Sequence, residues 1–305
     1  MGVAEKLTPQ LVRQVILAEE LPLRQVTHPP AAARQILAYG ATVGAEIEQF
    51  TELPRCMSLA RQRIGECEAA GCSFHSGTVF LAERLSASKG RFQRGWHAPA
   101  GGVWLALALV NTLLPASTNF YSLAAGLACC ETVRHYGLDA KTKWVNDILV
   151  GGRKLAGILI ETMRGPRFGE EYILIGVGIN VNNDCFPEEL KGQAVSMRQL
   201  LGVELDLPLF VARLLAKISW NIGLLHYEEE RLLAAGGEGG EHELLAAWRR
   251  ASDTVGRRVR FGYDVQSKPQ FEAEVLAVDE EGRLVLRLPD GAVLKENAGE
   301  LLYLD

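Results

Sequence analysis

Apolar positions change their period several times along the chain, and each change marks an element. Ile47–Phe50, Thr78–Glu83 and Val103–Leu109 read as strands, whereas Tyr121–His135 carries its apolar residues at helical spacing. Between Trp144 and Glu161 the pattern is strand, Gly151-Gly152, strand, and two glycines tolerate the positive φ of a tight hairpin turn. Tyr172–Val181 adds a strand. Asp206 then caps a long helix with Pro208 in its first turn and apolar residues at Val211, Leu214, Leu215, Ile218, Ile222 and Leu225. The glycine-rich segment 236–240 reads as a flexible break, followed by a short helix through Trp248. From Val255 onward the chain predicts short strands over Arg257–Tyr263, Phe271–Val278, Leu284–Leu288, Val293–Glu296 and Glu300–Leu304, which suggests a small barrel forming a module separate from the main core. Residues 1–40 hold two short helices, opening at Thr8-Pro9 and after Pro29-Pro30, and read as an appendage.

Length and composition narrow the class. At 305 residues the chain exceeds one ordinary hydrophobic core, and its 48% hydrophobic and 23% charged content is that of a water-soluble globular protein. A net charge of −5 argues against nucleic acid as the default partner, though a local basic loop could still hold a small polyphosphate. No basic segment followed by an apolar run opens the chain, and the apolar stretch Val103–Leu114 is broken by Asn111 and too short to span a bilayer. No membrane partner and a cytoplasmic location are expected. The cysteines Cys56, Cys67, Cys72, Cys129, Cys130 and Cys185 lack paired spacing, so reduced and mostly buried thiols are expected; the histidines lack metal-ligand spacing, and no metal site is predicted.

Four segments carry chemistry. Ser88-Lys89-Gly90-Arg91-Phe92-Gln93-Arg94-Gly95-Trp96 places three cations and two glycines together: cations neutralise a polyphosphate, and glycines admit backbone N–H groups to its oxygens. Taken alone, the same segment also reads as a solvated basic turn. Lys143-Trp144-Val145-Asn146-Asp147 leads into the hairpin, and Lys154-Leu155-Ala156-Gly157 lies on its returning strand. A lysine buried there would need an anionic partner such as a carboxylate or phosphate, whereas in isolation Lys154 is a surface lysine beside a turn. Gly176-Val177-Gly178-Ile179-Asn180 puts glycines inside a strand, where a ligand or another backbone can approach closely.

Together these segments resemble the biotin–protein ligases, from about Gly44 to the C-terminus. The family's lysine-tryptophan-proline-asparagine-aspartate motif stands here as Lys143 to Asp147, its lysine-x-x-glycine-isoleucine-leucine-x-glutamate run as Lys154 to Glu161, and its glycine-x-glycine-isoleucine-asparagine strand as Gly176 to Asn180. Trp96-His97-Ala98-Pro99 with Gly101-Gly102 is similar to the stretch after the family's glycine-rich loop, and the segment ending Ala298-Gly299-Glu300-Leu301 to its SH3-like domain. The resemblance implies an α+β fold: a helical extension over 1–40, a mixed-sheet ligase-like catalytic domain over 41–252, and an SH3-like small β-barrel over 253–305. It also implies an ATP-dependent enzyme that joins a small carboxylic acid, biotin in the family, to AMP and passes the acyl group to a lysine of a carrier protein such as a biotin carboxyl carrier domain. Mg-ATP and biotin would be bound. By the resemblance Lys154 contacts the carboxylate and α-phosphate, Arg91 belongs to the loop closing over the adenylate, and Asp147 orients the acceptor amine or the phosphate environment. Lys89, Gly90, Arg94, Trp96, Lys143, Asn146, Gly157 and Asn180 complete the implied ligand-binding set.

Two departures bear on the acid. The serine-threonine-asparagine that reads the ureido group in the family aligns with Arg55-Cys56-Met57, and the glutamine after the Thr78–Glu83 strand is Leu85. The family's glycine-arginine-glycine-arginine-arginine-glycine-arginine loop is reduced to Ser88-Lys89-Gly90-Arg91-Phe92-Gln93-Arg94, with Lys89 where the family usually has arginine. A ligase for lipoate or another acid, or a silent ligand-binding homologue, therefore stands beside biotin ligation. Some family members are also repressors with an N-terminal winged helix, but no basic recognition helix stands out within residues 1–40, so no DNA partner is expected. A homodimer is left open.

Overall fold

A computed structural model describes residues 6–236 and 242–304. The glycine-rich break lies, apart from Gly236, outside the described residues. Seven strands form a mixed sheet in the order β1-β2-β3-β7-β6-β5-β4. They are β1 (Ile47–Leu53), β2 (Thr78–Leu85), β3 (Val103–Val110), β4 (Ala140–Lys143), β5 (Asp147–Val150), β6 (Arg153–Arg164) and β7 (Glu171–Ile179). Only the β1–β2 pair is parallel; the others are antiparallel.

Alternation along the strands sorts side chains between two faces. Leu105, Leu107 and Leu109 of β3, with Ile173, Ile175 and Val177 of β7, bury against α5 (Phe120–His135) and α7 (Leu207–Ala234). The intervening Ala106, Ala108 and Leu174 meet α4 (Cys56–Ala69) through Met57, Ala60 and Ile64. Asp206 caps α7, its side chain accepting from the Leu209 N–H at 2.9 Å, and Pro208 lies in the first turn, as its sequence predicts. Helix α7 is long and apolar enough to cross a bilayer by length and composition, but 78% of that apolar window is buried within the protein, where it serves the core.

Within residues 1–40, expected to form an appendage, the described residues 6–40 pack on the main domain. Helix α1 (Pro9–Val15), a π-helical turn over Ile16–Glu20 and α2 (Leu21–Arg24) make one continuous helical stretch, followed by α3 (Pro30–Tyr39). Leu11, Val12, Val15, Ala33 and Ile36 sit in the same core as β3 and β7. Polar contacts fix the attachment: Lys217 Nζ meets Glu20 at 2.9 Å with both side chains about 95% buried (exposures of 5% and 4%), and Arg24 grips Glu131 of α5 with bonds of 3.0 and 2.6 Å. Arg24 also lies 4.9 Å from the centre of the Trp220 ring. These charges are not visible as partners in the sequence, because Glu20 and Lys217 are almost two hundred positions apart.

The C-terminal strands β8 (Arg258–Gly262), β9 (Phe271–Val278), β10 (Leu284–Arg287), β11 (Val293–Glu296) and β12 (Glu300–Tyr303) form an antiparallel SH3-like unit in the order β11-β10-β9-β8-β12. Its own alternation follows the sequence pattern, but it is not walled off. Phe261, Val275 and Leu286 belong to the same buried cluster as the main domain. Trp144 donates its indole N–H to Gly282 O at 3.1 Å, and Arg249 of α8 (Glu243–Ala251) donates to Val278 O at 2.6 Å. The expected independent module thus shares one core with the larger domain. Among the described residues the six cysteines are free, yet Cys72 and Cys185 are exposed and Cys67 half-buried, so burial is less general than expected.

Removing one partner from the Glu20–Lys217 pair leaves an uncompensated buried cation, which typically costs about 3–5 kcal/mol. Glu20→Ala should therefore lower the chemical-denaturation midpoint well beyond the effect of an ordinary surface substitution. A midpoint matching wild type would show that the Glu20–Lys217 pair does not help hold these helices to the core.

Candidate active site

The returning strand of the central hairpin creates the floor. Gly151 and Gly152 have φ of +56° and +75°, the left-handed pair that a two-residue turn between twisted strands requires. Lys143 at the end of β4 is register-paired with Asp147 at the start of β5, so Trp144, Val145 and Asn146 form the turn; the Trp144–Val145 peptide bond is cis. Asp147 in turn faces Gly157 of β6, and Gly157 faces Gly178 of β7. The two glycines are needed for space. An added Cβ would meet the Trp96 indole at 3.1 Å from position 157 and at 2.9 Å from position 178. The indole lies over a patch of bare backbone, edge-on to Trp104 with ring centres 6.4 Å apart.

Above this floor the basic loop closes on itself. Lys89 bridges to Gly95, the Gly90 N–H donates to Arg94 O at 2.8 Å, and the Ser88 hydroxyl donates to Trp96 O. Phe92 at its tip has a φ of +54° and stands edge-on to Tyr263 of the barrel. Arg91 donates to Asn146 Oδ1 at 3.2 Å and to Gly299 O at 2.7 Å, while Arg94 pairs with Glu300. Asn146 is held by its own amide, which donates to Ile158 O at 2.9 Å.

The structure brings together all the residues singled out from the sequence. Lys89, Gly90, Arg91, Arg94, Trp96, Lys143, Asn146, Asp147, Lys154, Gly157 and Asn180 line one open cleft of about 710 Å³. Six cations line it (these five and Arg55) against three carboxylates, Asp147, Glu189 and Glu300, so the wall carries excess positive charge and suits anionic ligands. Lys154 has a carboxylate partner within the hairpin itself: its Nζ lies 2.6 Å from Asp147 Oδ1 and 5.2 Å from the centre of the Trp96 ring. Lys143 lies 5.1 Å from the Tyr303 ring centre, and burial pulls its pKa below the ordinary lysine value, partly opposed by Asp147. Asn180 is buried, with its side-chain oxygen accepting from Asn183 at 2.9 Å.

The cleft also contains residues that the sequence reading left outside the site. Glu300 and Tyr303 come from the barrel, and Phe186, Leu190 and Gln193 from the connection after β7. Their contributions depend on three-dimensional closure, although Gly299-Glu300 stood within the segment noted for its resemblance. Arg55, at the N-cap of α4, binds Glu161 at 2.6 Å; Arg61 holds the other oxygen of that carboxylate at 2.7 Å. Cys56 packs beneath, and burial pushes its thiol up to about 12, so it stays a neutral thiol donating to Trp104 O. Among the described residues no group of three histidine, cysteine, aspartate or glutamate side chains is arranged to hold a metal ion.

Residues 72–180 match the biotin/lipoate A/B protein ligase family. The chain is 31% identical over 234 residues to the biotin–[acetyl-CoA-carboxylase] ligase of Mycobacterium tuberculosis, an alignment covering 75% of this chain and 79% of that protein. It is 38% identical over 144 residues to the bifunctional ligase/repressor BirA of Bacillus subtilis, covering 46% of this chain but only 44% of that one. The chain therefore spans less than half the length of that Bacillus relative. Because such relatives are named ligase/repressor, the expectation of no DNA partner has no support from them. The fold is that of the biotin protein ligase of Aquifex aeolicus solved with biotin and ATP: TM-score 0.66, 20% identity, 85% of this chain and 98% of that one. With sequence similarity extending over most of the Mycobacterium protein, the chain belongs to the biotin/lipoate A/B protein ligase family.

Proposed function

We propose that this protein is an ATP-dependent biotin–protein ligase: it joins biotin to AMP and transfers the biotinyl group to a lysine of a carrier protein. The observation that carries the reading is the convergence of the basic loop, Lys143, Asp147 and Lys154 on one cleft with excess positive charge. A carboxylate and a triphosphate repel each other in water, and a preorganised set of cations removes that barrier while holding the reacting atoms together. Relatives named as biotin ligases and a neighbour solved with both biotin and ATP support the choice of substrates.

In the first step Lys154 is the group to bridge the acid carboxylate and the α-phosphate, and Arg91 and Arg94 neutralise charge on the phosphoryl oxygens. Asp147 keeps Lys154 in place before ligands arrive, and its carboxylate is then available to orient the incoming lysine amine of the carrier. Magnesium would arrive with the nucleotide phosphates, which need few protein ligands to hold it. A second reading, ligation of lipoate or another acid with an apolar tail, is favoured by Met57 and Leu85 on the cleft wall. Acid-dependent pyrophosphate release, followed by label transfer to a carrier domain, tests the assignment; an absence of pyrophosphate release with every acid would overturn it.

Two substitutions probe the roles. Lys154→Ala should reduce adenylate formation by roughly ten- to a hundred-fold, the loss expected for one charge-assisted contact of about 1.5–3 kcal/mol. Its thermal melt should shift little, because the Lys154–Asp147 pair is partly exposed and such pairs contribute about 0–1 kcal/mol. Undiminished pyrophosphate release would remove Lys154 from the mechanism. Replacing Lys89, Arg91 and Arg94 together by alanine should weaken ATP binding measured by calorimetry, and unchanged affinity in the folded variant would place the phosphates elsewhere.

A further inference from the structure

We propose that Cys67 and Cys72 form a thiol–disulfide site: a small-molecule disulfide converts them into a reversible intramolecular bridge across the end of α4. Their spacing carries no signal along the chain, but the way α4 stops turns one back onto the other. Ala70 ends the helix in right-handed conformation, and Gly71 follows with a φ of +79°. The Gly71 N–H then donates to Glu68 O and the Cys72 N–H to Cys67 O, both at 2.9 Å. These two bonds define a helix stop in which the residue after the glycine folds back on the residue at the start of the last turn, and in which the side chains of those two residues characteristically meet. An apolar pair usually fills these positions; here both are thiols.

The turn is clamped from outside. Arg167, on the connection between β6 and β7, donates to the Glu68 and Ala69 carbonyls at 3.4 and 3.2 Å, and its guanidinium lies 3.2 Å from where a Cβ on Gly71 would stand. The Glu68 carboxylate is buried and accepts from the backbone N–H groups of Arg167 and Phe168 at 2.8 and 3.3 Å and from the Tyr172 hydroxyl at 3.0 Å. The backbone joining the two cysteines therefore has little freedom left to lose, which favours closure on the neighbouring thiol over a further encounter with solution. Access also separates this pair from the other thiols. Cys72 is exposed and Cys67 half-buried, whereas Cys56, Cys129 and Cys130 are buried; Cys185 is exposed on the connection after β7.

Exchange runs in two steps. The Cys72 sulfur attacks one sulfur of the small disulfide and expels the other half as a thiolate; the Cys67 sulfur then attacks the Cys72 sulfur of the mixed disulfide and expels the second half. The two protein thiol protons end on the two departing thiolates, so one protein disulfide forms as one small disulfide is reduced. The bridge pins the far end of the helix whose first turn contributes Cys56 and Met57 to the cleft.

The test treats the full chain with oxidised glutathione and reads the product by mass spectrometry. Trypsin leaves both cysteines on one peptide, residues 64–84, because no lysine or arginine lies between its ends. In the native protein that peptide should become lighter by two hydrogens, carry no glutathione and regain its mass with dithiothreitol. In urea, at the same glutathione ratio, the closed form should fall roughly ten-fold or more relative to the mixed disulfide, since the unfolded chain lacks the turn. Gly71→Val, which puts a β-branched residue at positive φ, should shift the native protein the same way, and if it does not fold the comparison of native and urea-treated wild type decides alone. Cys67→Ser should leave a lasting glutathione adduct on Cys72. Such an adduct in native wild type, no reaction at either cysteine, or equal closure in urea and in buffer overturns the proposal.

Discussion

Like-charge crowding is the constraint around which this protein is organised. The cleft sets several cations close together, and those cations must be compatible with a folded chain. Each is given a local partner of moderate strength. Lys154 has Asp147, Arg94 has Glu300, Arg91 has the Gly299 carbonyl and the Asn146 side chain, and Lys143 has the face of Tyr303. Partly exposed pairs of this kind contribute little to stability, so they can be exchanged for phosphate or carboxylate oxygens at small cost. Burying the same pairs deeply would have made the exchange expensive.

The consequence is that the C-terminal barrel is part of the site. Its last strand and the Gly299 just before it provide the carboxylate, the aromatic ring and the carbonyl that occupy three of the cleft's cations, and Trp144 of the motif turn is anchored to its Gly282. The basic loop is closed by its own backbone bonds and is docked on the barrel through Arg91, Arg94 and Phe92. The N-terminal helices do the opposite kind of work. Their Glu20–Lys217 contact is almost fully buried and far from exchange, and it joins them to the long core helix α7.

The floor follows the same economy of space. Gly157 and Gly178 face each other across β6 and β7 with no side chains between the sheet and the Trp96 indole. That arrangement brings the Lys154 ammonium over an aromatic face rather than over an aliphatic core, a setting in which a cation is stabilised.

Much of this was legible in the residues themselves. Strand alternation, the Gly151-Gly152 turn, the Asp206 cap and the short barrel strands are local signals with a two- or four-residue reach, and the structure bears them out. The ordered motifs also placed eleven residues that line one cleft. Other features had no local signal. The packing of the helices within residues 6–40 on the core, the sharing of a core by the barrel, and the partners of Lys154, Arg91 and Arg94 depend on groups that are distant along the chain. A sequence states which side chains carry charge and which backbone positions admit no Cβ. Which charge neutralises which is decided only by tertiary packing, because Coulombic and hydrogen-bond partners are selected by distance in space, and a lysine reads the same whether it faces water, a carboxylate or an empty cleft.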